Sequence, residues 1–65
     1  MRLTVNGTAR EADPLSVAAL VASLTPQQRG VAVAVNGEVV PRSTWAARWL
    51  TDGDRVEVLT AAQGG

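Results

Sequence analysis

The chain has 65 residues, a formal net charge of zero, no Cys and no His, and all six of its basic residues are Arg. A chain of this length is expected to form one small domain, residues 1–65, that buries about 60% of the surface its unfolded form exposes, which leaves little room for an internal substrate cavity. The missing residue types exclude disulfides, thiol or imidazole catalysis, thiolate metal sites and a Lys Schiff base. The balanced charge, without a basic run, excludes the usual footprint of nucleic-acid or anionic-lipid binding.

Leu3 and Val5 alternate with Arg2 and Thr4, which predicts a strand with one buried face. Asn6-Gly7 follows, and an Asn-Gly pair is a strong hairpin signal because both central positions of a type I′ turn need positive φ. Thr8 to Ala12 then returns antiparallel, and Asp13-Pro14 stops it. Ser16 is placed to cap a helix, since its hydroxyl can accept from an otherwise unpaired backbone N–H. From there Val17, Leu20, Val21 and Leu24 fall at i, i+3, i+4 and i+7 and form one apolar stripe. Thr25-Pro26 ends the helix, because the residue before proline is pushed out of the α region.

Gln27-Gln28-Arg29-Gly30 is a polar link. Val31, Val33 and Val35 alternate with Ala32 and Ala34, so both faces are apolar and the strand is expected inside a sheet or with one face covered by a partner. Asn36-Gly37 repeats the hairpin signal, and Glu38-Val39-Val40 returns before Pro41. Ser43 or Thr44 is predicted to cap a short helix carrying Trp45, Ala46, Arg48, Trp49 and Leu50. Thr51-Asp52-Gly53-Asp54 reads as a turn, and Arg55 to Leu59 as the last strand, with Val56 and Val58 facing the core.

Strands in runs around one main helix predict an α+β fold, a mixed sheet of about five strands with that helix across one face. Placing the last strand beside the first, parallel and in the middle, gives every strand a neighbour and leaves the tail free at one sheet edge. That is the β-grasp arrangement. The tail, Thr60-Ala61-Ala62-Gln63-Gly64-Gly65, is expected to be flexible. Two consecutive glycines at that place have chance odds of roughly 0.5% at average usage. Lacking Cβ atoms, they fit spaces too narrow for a side chain. Six residues reach about 20 Å beyond the last strand, which is far enough to deliver the Gly65 carboxylate into another protein's pocket.

Taken together, Ala32-Val33-Ala34-Val35-Asn36-Gly37-Glu38-Val39-Val40-Pro41-Arg42 with Trp45, then Asp52-Gly53-Asp54-Arg55-Val56-Glu57 and the terminal Gln63-Gly64-Gly65, carry a resemblance over essentially the whole chain. The chain resembles the ThiS family, ubiquitin-like β-grasp sulfur carriers of thiamine biosynthesis. Trp49 departs from the family pattern, where an aliphatic residue is more usual. The resemblance implies that the Gly65 carboxylate is adenylated with ATP by a ubiquitin-activating-type adenylyltransferase. The acyl adenylate then takes sulfur that comes ultimately from cysteine, through a cysteine desulfurase or equivalent, and becomes a thiocarboxylate. That species is expected to dock on thiazole synthase, with Gly64, Gln63 and Ala62 threaded into the partner enzymes.

The carrier is then a co-substrate and not an enzyme, which agrees with the absence of catalytic His, Cys and Lys. It is expected to be a cytoplasmic monomer with no bound cofactor or metal, since no apolar leader or spanning segment is visible. Ala32 and Ala34, with Leu59, form the candidate docking surface. Other acceptors share the same chemistry: a molybdopterin-synthase small subunit, a tRNA-thiolation carrier or a natural-product sulfur carrier. A ubiquitin-like modifier is a further alternative, although without Lys it cannot build chains on itself, and a plain β-grasp binding module with an irrelevant tail is another.

Trp45 and Trp49, at i and i+4, are expected to share one helix face and pack, with Arg48 beside them in a cation–π contact or simply solvated. The Asp52/Asp54 pair is better explained by turn formation than by metal binding. Ser16 and Ser43 lack a His partner and are read as caps, not nucleophiles.

Overall fold

The computed structural model of the chain describes residues 1–27 and 29–60. Five strands form one mixed sheet in the order β2-β1-β5-β3-β4, where β1 is Arg2–Val5, β2 Thr8–Glu11, β3 Val31–Val35, β4 Glu38–Val39 and β5 Arg55–Thr60. This is the β-grasp order: β1 and β5 run parallel through the Thr4↔Arg55 and Val5↔Val56 pairs, and hairpins flank them on both sides.

The two hairpins close through the same chemistry. Asn6 (φ 50°) with Gly7 (φ 83°), and Asn36 (φ 52°) with Gly37 (φ 85°), hold the paired positive φ values of a type I′ turn. Both glycines have open space around them, so backbone conformation and not crowding selects Gly there.

The helix α1, Val17–Leu24, begins at Ser16, whose Oγ accepts from the Ala19 N–H at 3.1 Å. Thr25 leaves it in extended conformation, as the following Pro26 requires. Val17, Leu20 and Val21 are buried against Leu3, Val5, Val33, Val35, Val56 and Val58 from the inner sheet face. Leu24, the fourth member of the predicted stripe, is 38% exposed; it stands on the last turn, past the apolar cover.

The segment after Pro41 differs from the predicted helix. Only Arg42–Thr44 is a 3₁₀ turn; Pro41 precedes it without a side-chain cap, and the Thr44 hydroxyl donates back to the Pro41 carbonyl at 2.8 Å. The cause lies in α1. The first N–H groups of any helix have no partner inside it, and here Val17 N–H donates to Arg48 O at 2.8 Å and Ala18 N–H to Trp45 O at 3.1 Å. Leu50 N–H donates to Leu15 O at 3.1 Å, and Ser16 bridges Trp49. Carbonyls that a longer local helix would use internally are drawn off to cap the main one.

Trp45 and Trp49 consequently part company. Trp45 is buried and its indole N–H donates to Val40 O at 2.9 Å, whereas Trp49 is 56% exposed. The cation over the Trp45 ring is Arg42, 5.7 Å from its centroid, not Arg48, whose guanidinium donates to Trp49 O. Arg42, a residue with no role legible beforehand, thus covers the edge of the core.

Candidate functional site: the outer sheet face and the end of the central strand

Pairing register decides what the open side of the sheet displays, because directly opposed residues share a face. Ala32 stands opposite Leu59, and Ala34 opposite both Glu57 and Val39. Ala32 is exposed and Ala34 half-buried, while Leu59 is 67% exposed and Val39 75%. The three predicted docking residues therefore do meet on one surface. Val39 joins them, and sequence reading missed it. The signal was available: Val35↔Glu38 pairing across the Asn36-Gly37 turn sends Val39 outward and leaves the buried Val40 inward. The result is a shallow apolar strip, low in the middle at the alanines and raised at Leu59 and Val39, with Glu57 and Arg55 along β5.

The last strand is one residue longer than predicted. Thr60 pairs with Val31, so the first predicted tail residue belongs to β5. Because β5 is the central strand, the chain leaves the sheet from its middle and not from an edge. Ala62, Gln63, Gly64 and Gly65 lie outside the described residues.

Two asparagine side chains hold β5 from opposite sides. Asn6 Oδ1 accepts the Val58 N–H at 2.8 Å and its Nδ2 donates to Val58 O at 3.2 Å. Asn36 Oδ1 accepts the Arg55 N–H at 2.9 Å, and its Nδ2 donates to Asp54 Oδ1 at 2.9 Å. Both residues read locally as turn formers only, and no nearby sequence signal reports a contact across 19 or 52 positions.

The Asp52/Asp54 carboxylates are structural. Asp52 Oδ1 accepts the Arg2 N–H at 2.7 Å, and Asp54 Oδ2 accepts the Thr51 N–H at 2.8 Å. Among the described residues no cluster of three metal-ligating side chains occurs, and no helix is long and apolar enough to cross a membrane. Burial of Asp54 pushes its pKa up, but the hydrogen bonds from Thr51 and Asn36 and the charge of Arg48 outweigh this and hold it below its ordinary value of 3.8.

A carboxyl group depressed in the folded state stabilises the fold at every pH above its unfolded value and loses that contribution as pH falls through the folded one. Asp54→Ala is thus expected to cost about 1–3 kcal/mol at neutral pH, the penalty for unpaired buried donors. In urea titrations the gap to the parent chain should narrow below the ordinary Asp value. A gap that stays constant into acid would show that the ionised form is not what the network holds.

A model of the ThiS family matches residues 3–65. The chain is 37% identical over 46 residues to the sulfur carrier protein ThiS of Escherichia coli K12, covering 71% of this chain and 70% of that protein. It is 38% identical over 66 aligned positions to a thiazole synthase of Paramagnetospirillum magneticum; the match takes in 100% of this chain but spans only 20% of that protein's length.

Among solved structures, the crystal structure of the thiamine biosynthesis protein ThiS from Geobacter metallireducens superposes with a TM-score of 0.83 at 40% identity, covering 100% of both chains. An NMR solution structure of a thiamine biosynthesis protein from the same organism gives 0.79 at 42% identity, covering 100% of this chain and 88% of the other. With the sheet order, the Asn-Gly turns and the family pattern all in agreement, the chain belongs to the ThiS family of ubiquitin-like β-grasp proteins.

Proposed function

We propose that this chain is the sulfur carrier for thiazole formation in thiamine biosynthesis, with the Gly65 carboxylate as the group that is charged and discharged. The observation that carries the reading is the family match running through residue 65, and so including Gln63-Gly64-Gly65. A carboxylate has a pKa near 3.5 and is anionic at neutral pH, so its oxygen is a poor leaving group. Attack of that oxygen on the α-phosphorus of ATP expels pyrophosphate and leaves an acyl adenylate. Hydrosulfide then attacks the acyl carbon and displaces AMP, which carries away one former carboxylate oxygen, and loss of the S–H proton leaves the thiocarboxylate. An adenylyltransferase supplies the metal ion and charge stabilisation. Glycine contributes access and has no stereocentre to scramble.

The apolar strip of Ala32, Ala34, Val39 and Leu59 is the proposed docking face, and thiazole synthase the proposed acceptor. The P. magneticum thiazole synthase, which matches this whole chain over a fifth of its own length, supports that pairing. The carrier acts as a co-substrate in the cytoplasm and binds no cofactor of its own.

Incubation with a cognate adenylyltransferase, ATP and a sulfide source should exchange one oxygen for sulfur at the C-terminus, read by intact mass. An unchanged mass, in a system that charges a control carrier, would refute the proposal. In the same assay Leu59→Arg should raise KM about tenfold while stability moves by less than about 0.5 kcal/mol, because the residue is exposed.

A further inference from the structure

We infer that Asn36-Gly37 is a covalent modification site: spontaneous deamidation of Asn36, slow while the fold holds its carboxamide, yields a carboxylate that the folded chain does not accommodate.

An asparagine followed by glycine loses ammonia without an enzyme. The glycine backbone nitrogen gives its proton to solvent and attacks the asparagine Cγ. The N–Cγ bond forms, the Cγ–Nδ2 bond breaks, and Nδ2 takes a proton from solvent and leaves as ammonia. Water then adds to either carbonyl of the succinimide ring and opens it to aspartate or to isoaspartate, whose main chain is longer by one carbon. The chain carries two such pairs, Asn6-Gly7 and Asn36-Gly37. Neither glycine has a Cβ to crowd the attack, and a Cβ built at either would meet nothing within 4 Å, so neighbouring groups do not shield the turns.

Hydrogen bonds guard them instead. Asn36 Oδ1 accepts the Arg55 N–H and its Nδ2 donates to Asp54 Oδ1, both at 2.9 Å, while its own N–H donates to Arg55 O at 2.7 Å. The carboxamide is thus aimed across at the start of β5, and it must release both side-chain partners before Cγ can turn back onto the Gly37 nitrogen. Asn6 is held in the same way by Val58.

The two products differ. An aspartate at position 6 keeps the acceptor for the Val58 N–H, and its second oxygen faces only the neutral Val58 carbonyl. An aspartate at position 36 keeps the acceptor for the Arg55 N–H but sets a second carboxylate oxygen against Asp54 Oδ1, across the 2.9 Å that a hydrogen bond now spans. Two carboxylates that close do not both ionise readily, and one is pushed up in pKa. The charged neighbours are Arg48, whose charge acts on Asp54, and, along the chain, Arg55 beside Asp54 and Glu38 two residues past Asn36. A carboxyl group raised in the folded state destabilises the fold at neutral pH, and the penalty fades as pH falls to its unfolded value. The lesion therefore acts on the hairpin that carries Ala34 and Val39.

The full chain is aged at mildly alkaline pH, folded or in urea, and digested after arginine, which places Asn6 in residues 3–10 and Asn36 in residues 30–42. Peptide masses should show Asn36 converting at least about tenfold more slowly in the folded chain than in urea. In thermal melts at neutral pH, Asn36→Asp should lower the melting temperature by about 10 °C or more and Asn6→Asp by less than about 4 °C. The Asn36→Asp deficit should narrow in acid. Exchanging the pair, Asn36→Asp with Asp54→Asn, restores one carboxylate and one amide and should recover most of the loss; it also reads the interaction where Asn36→Asp alone does not fold.

Equal rates of Asn36 conversion in the folded and unfolded chain would overturn the guard. Melting of Asn36→Asp level with Asn6→Asp, a deficit that acid leaves unchanged, or one that the exchanged pair does not relieve, would overturn the conflict with Asp54.

Discussion

One alanine appended after Gly65 is expected to abolish thiocarboxylate formation and to leave thermal stability where it was. The extension turns the Gly65 carboxylate into an amide carbonyl, which cannot attack ATP, and it moves the new carboxylate one residue further along a chain that now carries a Cβ. A misplacement of the reacting group by about 1 Å can already cost on the order of a hundredfold in rate, and one residue adds up to about 3.6 Å. Stability should not follow, because among the described residues every buried apolar side chain lies at or before Val58. Removing Gly64 and Gly65 should give the same pair of results. Intact mass after the charging reaction reads the first quantity and a thermal melt the second. Sulfur transfer to the extended chain at an undiminished rate would count against a narrow, side-chain-free approach to the acyl carbon.

The parts of this molecule that were legible beforehand are those whose causes are local. Each Asn-Gly pair names its own turn, the Ser16 hydroxyl and Pro26 bracket α1, and the Val/Ala alternation of residues 31–35 announces a strand with two apolar faces. The parallel placement of β5 between β1 and β3 followed from giving every strand a neighbour. What escaped depends on distant partners. The Arg42–Leu50 segment carries helix-compatible residues, yet its Trp45 and Arg48 carbonyls are taken by the unpaired N–H groups that open α1, some 30 positions earlier. No local window contains both ends of that exchange.

The asparagine clamps were hidden for the same reason, since turn geometry alone already accounts for an Asn at each place. At the candidate site, Ala32, Ala34 and Leu59 were found because strand alternation fixes which face a residue takes. Val39 was missed because its face depends on where the turn ends. The predicted exit of the tail from a sheet edge failed because β5, the strand that leads into it, is the central one.

Trp45→Ala is expected to be the most damaging single substitution in the chain, and Trp49→Ala among the mildest of a residue that size. Trp45 is 3% exposed, and truncating a buried Trp costs about 3–5 kcal/mol through lost transfer energy and the cavity left behind. The change also strips Val40 O of its indole donor and Arg42 of the ring beneath its guanidinium. Against a total stability of about 3–10 kcal/mol for 65 residues, that loss unfolds the chain or lowers its melting point by roughly 12–40 °C, at 4–8 °C per kcal/mol in domains of this size. Trp45→Phe separates the contributions: much of the volume remains while the buried carbonyl is left unpaired, for a cost of about 1–3 kcal/mol. Trp49 contributes to the structure mainly through its backbone, which bridges Ser16 and accepts from Arg48, and a substitution keeps both contacts. Its cost should stay under about 1 kcal/mol. Urea titrations followed by circular dichroism measure all three variants on one scale, since fluorescence would follow Trp49 in both position-45 variants and Trp45 in the other. Equal losses at positions 45 and 49 would mean that Trp49 packs in solution against a surface of its own, and that the core does not close over Trp45 alone.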